Sequence, residues 1–372
     1  MKSKIINILL ILFPIITIEL LSQIIFLSYG VPKYSILLKP FANVIQKTIT
    51  KNITDNNPIK WDFSRNKMMP GKYKYRNDKG KILNEYTINT QGFRGKEFNL
   101  TTKKKRIITL GGSTTIGVGS ADNETYPARL ELLLNKNTVD YEVLNMGFGS
   151  KSLNFVKSLL FSEAYKYNPN AIIIYSNRNA ILYDGSNIDP KIDSKLIKLN
   201  YFLQENVMAY GLLLKIYKRI INLTINTNFL KSPYGSVGIS QEYLNSGYKN
   251  SLIEIIKFCE KNNIKVILVK QAYYFNPNIS AEIDNFSISQ LIEIYKNNYL
   301  IKKYNVEETA NFWLILGTIL NKKLDELKNF ENVIIVNPIP KLLQDKSNFT
   351  DYLHLTPQGN FVLANEIYKS IK

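Results

Sequence analysis

Apolar and polar positions along the chain follow two periods, one typical of buried strands and one typical of amphipathic helices. Short apolar runs rich in Ile, Val and Leu predict strands at 106–110, 140–146, 171–176, 263–270 and 332–337. Longer stretches with an apolar residue every three or four positions predict helices at 125–136, 151–166, 246–262, 306–328 and 358–371. Strands that alternate with helices are typical of a parallel sheet covered on both faces. We therefore predict an α/β fold, a flavodoxin-like three-layer α/β/α sandwich around a central parallel sheet of about five strands.

The first apolar run is long enough to cross a membrane. Residues 5–29 are mostly apolar, with Glu19, Ser22 and Gln23 among the polar interruptions, and as a helix they would rise about 37 Å. Because a hydrocarbon core is about 30 Å thick, we predict an N-terminal transmembrane helix over residues 1–30. A cleavable signal peptide is the alternative, although no small-x-small cleavage site follows the apolar core. Glu19 would be costly in lipid, which predicts that it is protonated or faces a partner.

A glycine-rich turn follows the first strand of the alternating region. The apolar run ends in Gly111-Gly112-Ser113-Thr114-Thr115, and a predicted helix comes next. Ligands of an open parallel sheet bind at the carboxyl ends of the strands, which is where Ser113 falls. Glycines there let the backbone approach a substrate and expose amide hydrogens to a developing oxyanion. The turn lacks the lysine of a P-loop and the glycine spacing of a dinucleotide site, so neither kind of site is predicted.

The single histidine of the chain, His354, lies three residues after Asp351 near the C-terminus. Histidine is the side chain best suited to move protons near neutral pH. A serine hydroxyl is a poor nucleophile until a base takes its proton, and the imidazole needs a carboxylate to fix its tautomer. Ser113, His354 and Asp351 are therefore a candidate nucleophile, base and orienting acid, and a histidine merely packed in a loop is the alternative. One histidine and one cysteine cannot build the usual nitrogen and sulfur metal sites, so neither a metal nor another cofactor is expected.

These stretches resemble the SGNH (GDSL-like) hydrolase family, in its membrane-anchored variant whose first block reads Gly-Gly-Ser-Thr-Thr. The resemblance runs from about residue 88 to the C-terminus. Its first block is the turn at Ser113, its second is the stretch 143–150, and its last is Asp351-x-x-His354. The resemblance implies that Ser113 is the nucleophile and that Asp351 and His354 are the acid and the base of the triad.

The second and third blocks imply an oxyanion hole. In the second block, the backbone amide of Gly149 or of Ser150 would be a donor, because Ser150 stands where the family usually has a glycine. In the third block, residues 175–180, the resemblance puts the side-chain donor at Asn179. Asn177 is a rival for that role, because the match to the family is weakest here.

The resemblance implies a serine esterase or deacylase that hydrolyses small acyl esters through a covalent acyl-enzyme. Together with the predicted membrane location, it favours O-acetyl groups on a cell-surface or secreted glycan as the substrate. Two alternatives stay open. One is an O-acyltransferase that uses the same triad, and the other is a catalytically silent binding protein that retains the fold.

Three regions flank or interrupt the blocks. Residues 31–104 are polar and turn-rich, and predict a juxtamembrane segment with short strands before a catalytic domain at 105–372. Within the segment, Asn89-x-x-Gly-Phe-Arg94 predicts a strand and turn that pack on the catalytic domain, with Arg94 bound to an anionic substrate group as the alternative. Residues 181–245 predict an insertion, whose apolar stretch 207–221 is interpreted as a second core helix rather than a lid or an acyl-chain groove.

Charge and cysteine content add little about partners. The net charge of +18 favours anionic membranes or polyanionic surface polymers, but the lysines are scattered and no nucleic-acid-binding module is recognisable. We therefore expect no nucleic-acid partner. A single cysteine, Cys259, excludes an intramolecular disulfide and does not identify the compartment. We predict a signal anchor with the catalytic domain outside the cytoplasm, and oligomeric state is not predicted.

Overall fold

A computed structural model describes the chain over residues 13, 16–22, 24, 61–62, 67–76, 82–137, 140–149, 151–175, 203, 207, 209–210, 212–213, 228–231, 238–240 and 243–372. The chain forms two compact units, Met1–Met69 with Ile188–Asn226, and Pro70–Asn187 with Thr227–Lys372. This division differs from the predicted one. Residues 70–104 cluster with the α/β domain, and the central part of the predicted insertion clusters with the N-terminal residues.

The smaller unit contains a helical stretch at residues 16–22. Glu19 on this stretch is 5% exposed, and its carboxylate accepts a hydrogen bond of 2.8 Å from the backbone N–H of Ala209. A buried carboxylate thus has a polar partner, as its cost in an apolar environment requires. Within the described residues, no helix combines the length and the apolar character needed to span a membrane. Most of the predicted anchor at 1–30 lies outside those residues.

The described strands are short, and those of the central sheet carry mostly apolar side chains, as their sequences predict. They are β1 (Trp61–Asp62), β2 (Lys67–Met68), β3 (Gly71–Arg76), β4 (Ile82–Ile88), β5 (Lys105–Gly111), β6 (Tyr141–Gly147), β7 (Ala171–Tyr175), β8 (Asn228–Lys231), β9 (Gly238–Ser240), β10 (Lys265–Val269) and β11 (Val333–Val336). β1 pairs with β2, β3 with β4 and β8 with β9, in each case antiparallel.

Five parallel strands form the central sheet in the order β6-β5-β7-β10-β11. Counted along the chain this is the order 2-1-3-4-5, that of flavodoxin-like sheets. The winding reverses at β5, which has β6 on one side and β7 on the other. Ligands of such sheets bind in the crevice at this reversal, outside the carboxyl ends of the strands. The sheet topology therefore places a candidate ligand site at the turn that follows β5.

Most helices of the larger unit lie between successive strands along the chain, and the last two come after β11. They are α1 (Ser113–Ile116), α2 (Tyr126–Leu134), α3 (Leu153–Ser162), α4 (Tyr248–Lys261), α5 (Pro277–Asp284), α6 (Ile288–Lys296), α7 (Tyr299–Tyr304), α8 (Glu308–Asp325), α9 (Ile339–Leu342) and α10 (Pro357–Ile371).

Alternate residues of the central strands are buried on opposite faces of the sheet. Ile107 and Ile173 share a core cluster with the apolar sides of α2 and α10, which pack on each other. The intervening residues Ile108 and Ile172 are also buried, on the face where α3 contacts β5 and α4 contacts β10. Burying each such side chain contributes about 1.5–3 kcal/mol. The predicted arrangement of one parallel sheet between two layers of helices is confirmed.

Candidate active site

Ser113 is the first residue of α1, immediately after β5 and the N-cap residue Gly112. The turn is tight because α1 packs directly against the strand ends. A Cβ atom at Gly111 would collide with the Thr115 side chain, and one at Gly147, the last residue of β6, would collide with the backbone of Ile116. The glycines at both strand ends are therefore required by close approach. They bring the amino end of α1 to the carboxyl edge of the sheet.

The loop that carries His354 is shaped by the side chain of Asp351. One carboxylate oxygen, Oδ1, accepts the backbone N–H groups of Leu353 and His354, both at 2.7 Å. The carbonyl of His354 accepts the N–H of Thr350 at 2.8 Å. Two residues later Thr356 caps α10, and its hydroxyl accepts the N–H of Gly359 at 3.1 Å. An aspartate three residues before the histidine thus builds the turn that presents the imidazole ring.

The structure brings the three predicted triad residues together. His354 Nε2 lies 2.8 Å from Ser113 Oγ, and His354 Nδ1 lies 2.7 Å from Asp351 Oδ2. Although burial raises the pKa of the Asp351 carboxyl, hydrogen bonds from the side chain and backbone of His354 outweigh it and lower the pKa to about 2. An ionised carboxylate only accepts hydrogen bonds, so Nδ1 carries a proton, and in the neutral imidazole Nε2 is then the acceptor for the Ser113 hydroxyl. This is the protonation pattern that a general base requires.

Two side chains that the sequence patterns did not single out hold α1 in place. Thr115 donates its hydroxyl proton to the carbonyl of Tyr175, the last residue of β7, at 3.1 Å. Asn145 on β6 donates from Nδ2 to the carbonyl of Thr115 at 3.0 Å and accepts the N–H of Gly147 through Oδ1 at 3.0 Å. These bonds connect α1 to both strands that flank β5. Thr115 is part of the first block and Asn145 lies within the second, 143–150, and the sequence assigned a role to neither residue.

The predicted oxyanion donors are described in part. Gly149 is exposed, and a Cβ atom added there would meet open space. Next to it, the N–H of Phe148 donates to the carbonyl of Gly111 at 2.9 Å, which holds this turn against the end of β5. The first N–H groups of a helix have no intrahelical partner, so the amide of Ser113 has none within α1 and can donate to a bound oxyanion. Ser150, Asn177 and Asn179 lie outside the described residues, and their roles stay predictions.

Arg94 is placed where it binds the protein itself. Its side chain is 3% exposed, and Nε donates to Asp122 Oδ1 at 3.1 Å. Nη1 donates to the carbonyls of Ile116 and Gly117, both at 2.7 Å, and Nη2 donates to the carbonyl of Ser120. A guanidinium with these partners packs the segment before β5 on the nucleophile turn, as the preferred interpretation of this motif predicts. The alternative contact with an anionic substrate has no support in this geometry.

Three groups in this arrangement fit acyl transfer: a hydroxyl, a base that can take its proton, and amides at the helix start. A substrate carbonyl carbon at Ser113 Oγ would place its oxygen near the amide of Ser113. In the described part of the chain, no cluster of three or more His, Cys, Asp or Glu side chains could hold a metal ion.

No protein-family model matches the chain, and no curated protein matches it. Solved structures do. An acetyl xylan esterase, AlAXEase, is 14% identical with a TM-score of 0.40, over 72% of this chain and 100% of that one. Axe2, an acetylxylan esterase from Geobacillus stearothermophilus, is 13% identical with a TM-score of 0.39, over 72% and 94%. A GDSL-like lipase from Bacteroides thetaiotaomicron is 12% identical with a TM-score of 0.38, over 74% and 91%. At such low similarity the function must be argued from the site itself.

Proposed function

We propose that the chain is a serine ester hydrolase of the SGNH (GDSL-like) type that works through a covalent acyl-enzyme. The observation that carries this proposal is the continuous contact from Asp351 through His354 to Ser113, with distances of 2.7 Å and 2.8 Å. Ser113 lies 241 residues before His354 in the sequence, and only the fold brings these two residues together. The likeness of the sequence blocks to that family supports the same assignment.

The reaction follows from the protonation pattern. Ser113 Oγ attacks the ester carbonyl carbon while its proton passes to His354 Nε2, and Asp351 stabilises the resulting imidazolium. The tetrahedral oxyanion accepts hydrogen bonds from the amide of Ser113 and from the proposed donors Gly149, or the neighbouring Ser150, and Asn179. Collapse of the tetrahedral intermediate expels the alcohol, which takes the proton from His354. The acyl group stays on Ser113 as an ester. Water then attacks that ester by the same steps, which releases the acid and restores the hydroxyl.

A fluorophosphonate probe tests the proposal, because it reacts only with an activated serine hydroxyl. We expect stoichiometric labelling of Ser113 in the folded protein, located by peptide mass spectrometry. The exposed Ser162, whose hydroxyl donates to the carbonyl of Ser158, serves as an internal control and should stay unlabelled. Folded protein without label at Ser113 would contradict the proposal and favour the catalytically silent binding protein.

We further propose that the substrate is a small acyl ester, with O-acetyl groups on a surface or secreted glycan as the class to test first. The rival O-acyltransferase forms the same acyl-enzyme but passes the acyl group to a sugar hydroxyl. Single-turnover experiments with a radiolabelled acetyl donor separate them. Free acetate as the product, with or without an added oligosaccharide, supports the hydrolase, whereas labelled oligosaccharide supports the transferase.

The proposed location is a membrane anchor at residues 1–30 with the catalytic domain outside the cytoplasm. Its support is the apolar run and the exposure of Phe13, Ile18 and Ile24 in the described part of that run. A cysteine added after Lys372, in a protein with Cys259→Ser, should react with a membrane-impermeant maleimide in intact cells or spheroplasts. The Cys259→Ser protein without the added cysteine is the control. Labelling that requires lysis would place the domain in the cytoplasm and remove the surface glycan as substrate.

A further inference from the structure

We propose that Arg94 is a positioning residue for the nucleophile. Its buried guanidinium, held by Asp122, fixes the segment 116–122 and thereby the placement of Ser113 Oγ against His354 Nε2. The inference rests on the proposed function, because it assigns Arg94 a part in the same reaction. It goes beyond the triad and the oxyanion hole, since Arg94 would act through the backbone that it holds.

The first link runs from Arg94 to the carboxyl end of α1. The carbonyls of Ile116 and Gly117 accept from Nη1, and a helix end presents such carbonyls without intrahelical partners. A cation at this end also interacts favourably with the helix dipole. The N–H of Gly117 in turn donates to the carbonyl of Ser113 at 3.1 Å. Because α1 has only four residues, a shift at its last residue moves its first.

The second link runs from Arg94 to the helix that follows the base. Ser120 accepts from Nη2 through its carbonyl, and its hydroxyl accepts from Asn360 Nδ2 at 2.9 Å. Asn360 lies in the first turn of α10, whose N-cap is Thr356, two residues after His354. Both Ser120 and Asn360 are buried. The segment 116–122 therefore connects two helices, the one that begins at Ser113 and the one that follows His354.

Arg94 is itself fixed by its surroundings. The Asp122 carboxylate that accepts from Nε also accepts the N–H of Thr87 on β4, at 2.9 Å and 3.1 Å through its two oxygens. The guanidinium lies 4.8 Å from the centre of the Tyr86 ring. The backbone of Arg94 forms an antiparallel bridge with Asn145 on β6. A lysine retains the charge but has a compact ammonium without the planar fork, so it cannot reproduce this set of bonds.

The chain contains a matched control in Arg106, near the amino end of β5. This side chain is 1% exposed and lies 5.8 Å from the centre of a tyrosine ring, that of Tyr167. Its guanidinium donates to one carboxylate and three carbonyls, those of Glu142, Asn99, Leu100 and Tyr167. Arg106 thus makes the same kinds of contact as Arg94, but at the opposite end of the strand from Ser113. Loss of either arginine should disturb folding alike, and only Arg94 is placed to affect the reaction.

The test compares Arg94→Lys with Arg106→Lys in the full chain. Both substitutions should lower the thermal midpoint. At a temperature well below both midpoints, Arg94→Lys should reduce kcat on p-nitrophenyl acetate by roughly 10²-fold with KM little changed, because misplacing the nucleophile by about 1 Å has that effect. Fluorophosphonate labelling of Ser113 should slow in parallel. Arg106→Lys should keep kcat and the labelling rate near those of the wild type.

Equal loss of kcat in the two variants would overturn the inference, and so would a raised KM with unchanged kcat in Arg94→Lys, which would indicate substrate contact. If Arg94→Lys fails to fold, Asp122→Asn against Glu142→Gln makes the same comparison with a smaller perturbation. The imidazole ¹⁵N chemical shifts of His354, the single histidine, give a readout that needs no turnover. These shifts should change in Arg94→Lys and stay unchanged in Arg106→Lys. A wild-type protein that neither hydrolyses esters nor reacts with the fluorophosphonate would instead refute the proposed function.

Discussion

Replacing Ser113 or His354 by alanine should lower ester turnover by on the order of 10⁴- to 10⁶-fold, the largest effect expected for this protein. Without Ser113 Oγ no acyl-enzyme can form, and without His354 the hydroxyl keeps its proton. The two atoms lie 2.8 Å apart and act as one unit. The double variant should therefore be little worse than either single variant. The residual rate would come from the oxyanion donors and from substrate binding.

The measurement is kcat/KM on p-nitrophenyl acetate with the purified protein, and Ser162→Ala is the matched control. That serine is exposed at the end of α3, and within the described residues its hydroxyl donates to the carbonyl of Ser158, so its removal should leave turnover unchanged. Circular dichroism and the thermal midpoint show whether each variant is folded. More than a tenth of wild-type turnover in either folded single variant would refute the assignment of Ser113 and His354.

The second large effect is expected for Asp351→Asn, at about 10⁴-fold in kcat. The asparagine oxygen can still accept the backbone N–H groups of Leu353 and His354, so the turn should persist. Its NH₂ group, however, would face His354 Nδ1 and donate to it. Nδ1 must then be the acceptor and Nε2 must carry the proton, which points at Ser113 Oγ. In that tautomer the imidazole cannot take the serine proton.

Asp345→Asn is the control for this change. Asp345 also shapes a turn with its carboxylate, which accepts the N–H of Ser347 at 2.8 Å, but it does not contact the imidazole in the described structure. We expect near wild-type kcat for Asp345→Asn. The ¹⁵N shifts of His354 report its tautomer directly, and they should indicate a proton on Nδ1 in the wild type and on Nε2 in Asp351→Asn. Full activity of Asp351→Asn would show that another group orients the ring.

The low pKa of Asp351 has a consequence for the pH profile. Because that pKa is lowered to about 2 by the bonds from His354, the carboxylate stays ionised across the range in which ester turnover would be assayed. Its interaction with the ring is fully present above the ordinary pKa of an aspartate, about 3.9, and is lost only as the pH falls toward 2. Titration of Asp351 therefore does not limit activity near neutral pH.

Elements that follow a strong local pattern could be predicted from the sequence. The strands predicted at 106–110 and 140–146 are observed as β5 and β6, each shifted by at most one residue at either end. The strand predicted at 263–270 is shorter, Lys265–Val269, because Asn263 adopts a left-handed backbone conformation with φ of 56°. The single helix predicted at 151–166 ends at Ser162 and is followed by a 3₁₀ turn.

The three helices α5, α6 and α7 were not predicted. They have eight, nine and six residues and follow one another with short breaks, so no long helical period covers them. Asn298 and Asn305 flank α7 in left-handed conformations and interrupt the pattern further. Isolated helices of this length are marginal in water, so packing against the rest of the unit stabilises them. Leu291 and Leu300 supply buried contacts of that kind.

By itself, the sequence determined the class of fold and the three residues that meet at the site. The triad residues are marked by local features: a single histidine, an aspartate three residues before it and a serine at the end of a buried strand. Such features can be recognised in the sequence without knowledge of the fold. Only the tertiary structure decided the exact strand register, the division into two units and the hydrogen-bond partners of Arg94. Strand pairing and buried hydrogen bonds join residues far apart in the chain, and no periodicity records which remote carbonyl or carboxylate a side chain will meet. Arg94 could be read as a ligand for substrate or for protein until the fold placed the carbonyls of α1 around its guanidinium.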